Sequence, residues 1–121
     1  MQALARTEEI KFTILGEPAS KANSRKMVYV RGKPMFIKSA KALAYASAFK
    51  QQARAWEMLE GDVAVEITIY YASRRPDLDE SLILDLLQGV AYENDRQVRE
   101  KHIYWGLDKE NPRCDIRVYK K

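Results

Sequence analysis

Apolar and polar residues alternate over Ile10–Leu15 (IKFTIL), the period of a strand with one buried face, and Gly16-Glu17-Pro18 ends the run. Ala19 to Lys26 is polar and basic and reads as a loop. Met27–Val30 and Pro34–Ile37 flank Arg31-Gly32-Lys33, a hairpin pattern with glycine at the turn. From Ser39 the period becomes helical. Ser39 is a suitable N-cap, and Leu43, Ala46, Phe49, Ala53 and Trp56 recur at helical spacing through about Leu59, with Gly61 as the stop. Val63–Tyr71 (VAVEITIYY) is rich in β-branched and aromatic residues and predicts the best strand of the chain. Asp79 then stands where a second helix would be capped, and Leu82, Ile83, Leu86 and Leu87 give it an apolar stripe as far as Gly89. Val98–Leu107 and Arg113–Tyr119 read as closing strands around a turn at Asp108–Pro112. The order predicts an α+β fold: one compact domain over 1–121, a mixed β-sheet with two main helices on one face, and a loose leader over 1–8.

A length of 121 residues suits one core, and 46% hydrophobic with 31% charged residues is the make-up of a folded chain. The net charge of +4 is unevenly spread. Lys21, Arg25, Lys26, Arg31, Lys33, Lys38, Lys41 and Lys50 make the first half basic, while acids gather between Asp77 and Asp95. A phosphate backbone needs such a positive surface, and a metal needs a negative hole in it. Cys114 and His102 are the single residues of their kinds, which excludes an intramolecular disulfide and a Cys/His zinc site within one chain. Both read as strand residues, His102 without a catalytic role. Arg6, Glu8 and Glu9 break the N-terminal stretch, so no secretory signal is expected and a reducing, cytoplasmic setting is.

The segment Arg74-Arg75-Pro76-Asp77-Leu78-Asp79-Glu80, together with Glu93-Asn94-Asp95, carries the candidate chemistry. Asp77 and Asp79 are two apart, so in extended chain they point to one side. Crowded carboxylates repel unless a cation lies between them, and Mg²⁺ prefers such hard oxygen ligands. Each acid has a plainer explanation: Asp79 as N-cap, Asp77 as a turn residue after proline, Asp95 as a turn residue before a strand. Together, the strand, the arginine pair, Asp-x-Asp, the short helix and a third acid before the next strand could converge three carboxylates.

Arg75-Pro76-Asp77-Leu78-Asp79, Asp85-Leu86-Leu87-Gln88-Gly89-Val90 and Tyr92-Glu93-Asn94-Asp95-Arg96-Gln97-Val98 resemble the RusA-like Holliday junction resolvases of bacteria and their phages. Phe12-Thr13-Ile14, Gly16, Pro18, Lys21, the hairpin and a helix containing Tyr45 extend the resemblance over most of the chain. It implies a homodimer that binds four-way DNA junctions and nicks paired strands with Mg²⁺, Mn²⁺ being a possible substitute, leaving 5′-phosphate and 3′-hydroxyl ends. The family's essential acids fall on Asp77, Asp79 and Asp95. Arg74 and Arg75 are expected to hold phosphate. Lys21, Asn23, Arg25 and Lys26 have the residue types that grip a DNA backbone without reading much sequence.

The chain departs from the family pattern at two positions and in a helix segment to Asp85 that is about two residues shorter than usual. An Asn after the second Asp and a Lys one helical turn later are replaced by Glu80 and Ile83, and no lysine occurs between Lys50 and Lys101. Arg74, Arg75 and Arg96 are the nearest substitutes in sequence. Glu80 is expected to add a metal-binding carboxylate, and Asp85 to be structural. Tyr29, Phe36, Trp56, Tyr70, Tyr71 and Trp105 are expected in the core or a dimer interface, to which Val63–Tyr71 and the long helix would contribute. Two alternatives to a resolvase stay open: a nuclease for branched DNA in general, such as flaps and forks, and a junction binder that has lost catalysis.

Overall fold

The computed structural model describes residues 8–20, 25–53 and 57–121. Six strands and two helices succeed one another as β1 (Glu9–Leu15), β2 (Arg25–Val30), β3 (Lys33–Lys38), α1 (Ala40–Gln52), β4 (Val63–Tyr71), α2 (Ser81–Leu87), β5 (Val98–Leu107) and β6 (Arg113–Lys120). A 3₁₀ turn, Asp95–Gln97, precedes β5. The order and kinds of element match the expectation, and so does the mixed sheet. Its strand order is β1-β6-β4-β5, with β4 parallel to β5 and the other pairs antiparallel.

Alternation decides which face is buried. Ile10, Phe12 and Ile14 on β1 lie in register with Val118, Ile116 and Cys114 on β6, and these with Val65, Ile67 and Ile69 on β4. All but the half-buried Phe12 are buried, forming one cluster with Ala42, Tyr45 and Phe49 of α1 and Leu82, Ile83 and Leu87 of α2. The intervening residues line the opposite face as a charged ladder. There Thr13 donates to Asp115 (2.8 Å), and Arg117 meets Glu9 (2.8 Å) and Glu66 (3.8 Å). Cys114 is the buried strand residue expected; burial, most of all, pushes its thiol up to about 12. His102 lies on β5 with its ring 2.7 Å from Glu100.

Several expectations are corrected. α1 ends at Gln52, about seven residues short of Leu59, because Ala53 turns extended and Gln52 exchanges hydrogen bonds with the Leu15 backbone (2.7 and 3.2 Å). Its buried stripe is Ala42, Tyr45 and Phe49, while Leu43 is exposed. Ser39 does cap it, accepting from Ala42 N–H. α2 begins at Ser81, so Glu80 rather than Asp79 occupies the N-cap position. β4 lies inside the sheet, between β6 and β5. Of the aromatic residues expected in the core or an interface, Tyr71 is core, Tyr70 is half-buried on the charged face, and Tyr29 and Phe36 stand outside the core. Trp56 lies outside the described residues, as do residues 1–7 of the expected leader.

Candidate nuclease site

The end of β4 delivers the chain to the acidic segment, and Tyr71, the last residue of the strand, anchors that segment. The ring is buried in the core. Its hydroxyl donates to the Asp77 carbonyl (3.0 Å) and accepts from the Asp79 N–H (3.2 Å). One side chain thus pins both ends of Asp77-Leu78-Asp79. Asp79 Oδ1 accepts from Ser81 N–H (2.9 Å) and Ser81 Oγ (2.6 Å), an Asx turn that starts α2 two residues downstream. Asp77 is exposed and Asp79 half-buried. Burial, above all, holds the Tyr71 phenol above its ordinary range, so it stays a neutral donor at any working pH.

Asp95 is positioned from the other side. Asn94 caps the 3₁₀ turn by accepting from Arg96 N–H (2.9 Å), and Gln97 Oε1 accepts from Glu93 and Asn94 N–H (3.0 and 3.1 Å). The Gln97 amide also donates to the carbonyls of Leu59 and Gly61 (both 2.9 Å), tying the turn to the start of β4. Gln88 Oε1 accepts from the Asp95 N–H itself (3.1 Å). Two glutamines therefore clamp the backbone around Asp95. The buried Tyr92 lies close enough to feel Asp95 and Asp85; burial, with their charge added, raises its phenol well above its usual range.

Lys101 joins these parts. Val65 pairs with Lys101 in the β4–β5 register, so the lysine lies on the helix-bearing face of an edge strand. Its ammonium meets Glu80 at 2.5 Å. With Asp95, Leu84, Val98, Arg99 and Glu100 it lines an open groove of about 320 Å³. Further along β5, Trp105 stacks on Tyr71 (centroids 6.5 Å apart) and Arg74 lies over its indole (5.8 Å), beside the acidic loop.

The fold distributes the expected site residues over several elements. Asp79 and Glu80 sit at the start of α2, Asp77 on the loop before it, and Asp95 and Lys101 in the groove. Arg74 and Arg75 are exposed on the approach, and Arg25 and Lys26 open the exposed strand β2. Lys21 and Asn23 lie outside the described residues. Among the described residues, no three His, Cys, Asp or Glu side chains are grouped so as to hold a metal ion. The chain thus presents carboxylates of the right chemistry without a ready three-acid cage. Tyr71, Gln88, Gln97 and Lys101 escaped the sequence reading, because each acts through a contact distant in sequence or through the backbone.

Acids and arginines thus follow the end of a central strand in an α+β domain, with the backbone of Asp77 and Asp79 held by a buried tyrosine. Residues 16–119 match the family described as endodeoxyribonuclease RusA, and the chain belongs to that family. No curated protein matches it. No helix among the described residues is long and apolar enough to cross a membrane.

Proposed function

We propose that this endodeoxyribonuclease resolves four-way (Holliday) junctions by paired symmetric nicks, as a homodimer and with Mg²⁺, in DNA recombination and repair. The observation that carries the reading is the Asp77-x-Asp79 loop pinned by Tyr71 within a chain of the RusA family. Mn²⁺ is a possible substitute. The carboxylates of Asp77, Asp79 and Asp95 are the ones that would hold the ion, with Glu80 as a further candidate. When bound, the ion supplies Lewis-acid activation of the scissile phosphate and of a water. The chain's own residues position the reactants. Arg74 and Arg75 engage phosphate oxygens, and the Tyr71 hydroxyl fixes the backbone that carries Asp77 and Asp79, so that water attacks in line with the departing 3′-oxygen. A two-fold dimer suits a substrate that needs two equivalent cuts.

The test is cleavage of a labelled synthetic four-way junction, comparing wild type with Asp79→Asn and with a linear duplex. Asparagine retains a carbonyl oxygen for the Ser81 N–H and Oγ, so the start of α2 survives the change. We expect paired nicks from wild type alone, with junction binding unchanged in the variant. Cutting of flaps and forks as fast as junctions would replace the resolvase reading by a broader branched-DNA nuclease. Binding without cutting by wild type, in Mg²⁺ or Mn²⁺, would mean a junction binder that has lost catalysis.

A further inference from the structure

An irregularity of the sheet turns one cation toward the acid-rich side of the molecule. Val63 of β4 pairs with Val98, but Ala64 pairs with Glu100, so Arg99 is an extra residue on β5, a bulge on an edge strand. A one-residue offset exchanges the two faces of a strand. Straight pairing would set Glu100 opposite Val65, on the helix-bearing face, and would turn Lys101 to the charged ladder behind it. The bulge reverses this. Lys101 stands opposite Val65, and Glu100 goes to the outer face, where Lys121 (2.8 Å) and His102 (2.7 Å) hold its carboxylate.

The ammonium so delivered meets Glu80, yet the pair is a weak structural device. Half of the Lys101 side chain is exposed, and a partly exposed ion pair contributes little stability. An ammonium carries further N–H donors besides the one that meets Glu80. They are available in the groove that Lys101 shares with Asp95. Of the other charges lining that groove, Arg99 leans on Asp62 (3.5 Å) and Glu100 is engaged on the outer face. We infer that Lys101 is a substrate-contacting residue of the reaction: its ammonium, held in place by Glu80, donates to a non-bridging oxygen of the DNA phosphodiester that enters the groove beside Asp95. A compact point charge with spare donors suits a phosphate oxygen. The contact offsets the repulsion that Glu80 and Asp95 would otherwise exert on that phosphate. The inference rests on the assignment of Asp95 to the nuclease site.

The test is metal-free binding of the full-length chain to a labelled four-way junction and to linear duplex over a range of salt. Lys101→Met keeps an unbranched apolar stem and removes the charge. The slope of log affinity against log salt is expected to fall by about 0.9 in this variant, the loss of one phosphate contact, and to be restored in Lys101→Arg. A purely structural role would not move that slope. Neutral methylphosphonate links, placed one at a time around the cleavage site, locate the contact. One position is expected to weaken wild type and to leave Lys101→Met unaffected. Should Lys101→Met misfold by circular dichroism, Lys101→Gln replaces it. A folded variant with the wild-type slope, or one that loses affinity at every position where wild type does, overturns the inference and leaves Lys101 as a charge guarding the edge strand. Equal affinity for junction and duplex overturns the junction reading alone, because the slope comparison runs on either DNA. Failure to bind either DNA overturns both.

Discussion

Tyr71→Phe tests whether one buried hydroxyl positions the acidic loop. The substitution keeps the ring, its burial and its stacking on Trp105, and removes only the bonds to the Asp77 carbonyl and the Asp79 N–H. A net hydrogen bond contributes about 0.5–1.5 kcal/mol, so the pair stabilises the fold by about 1–3 kcal/mol. At this chain length that lowers the melting temperature by roughly 4–12 °C. The effect on catalysis should be larger than stability alone would give. A reacting group displaced by about 1 Å costs on the order of 100-fold in rate, close to 2.7 kcal/mol of barrier. Single-turnover cleavage of a four-way junction in saturating Mg²⁺, well below the melting range, should therefore slow by roughly 10- to 100-fold. Junction affinity should remain within about twofold, because phosphate contacts dominate such affinity and the substitution removes no cationic side chain. A variant that melts lower but cuts at the wild-type rate would refute the reasoning: the hydroxyl would stabilise the loop without setting its geometry.

Three further outcomes are expected. Glu80→Gln should raise the Mg²⁺ concentration for half-maximal cleavage several-fold while costing under about 1 kcal/mol of stability, since its pair with Lys101 is partly exposed; an unchanged Mg²⁺ midpoint excludes Glu80 as a ligand. Gly106→Ala would place a Cβ 2.6 and 2.8 Å from Tyr70 ring carbons, and should cost about 1–3 kcal/mol in denaturant unfolding. Tyr70→Ala in the same chain should remove that cost, and if the penalty persists the ring is not its cause. The Cys114 thiol, raised in the fold from 9.0 to about 12, releases its proton more readily when the chain unfolds. Its contribution to stability is complete below about pH 9 and declines between pH 9 and 12, so wild type should lose stability over that window faster than Cys114→Ala. Parallel curves for the two proteins would contradict the burial of the thiol.

The sequence by itself determined the elements and the chemistry on offer. Alternation in IKFTIL and VAVEITIYY, the helical spacing after Ser39 and the glycine turn at Arg31-Gly32 are local signals. Arg31 and Gly32 do take the left-handed conformation that such a turn requires. The Arg75-to-Val98 pattern likewise identified the family and its candidate acids. Only the tertiary structure decided how those acids are held. The Tyr71 hydroxyl reaches forward to Asp77 and Asp79, Gln97 reaches back to Leu59 and Gly61, and Lys101 meets Glu80 from a strand 21 residues away. Sheet register brings about that last contact, and periodicity along one segment carries no information about register with another. The same holds for the hairpin: its pattern predicted two strands, but only the packed fold showed its side chains standing outside the core of their own chain.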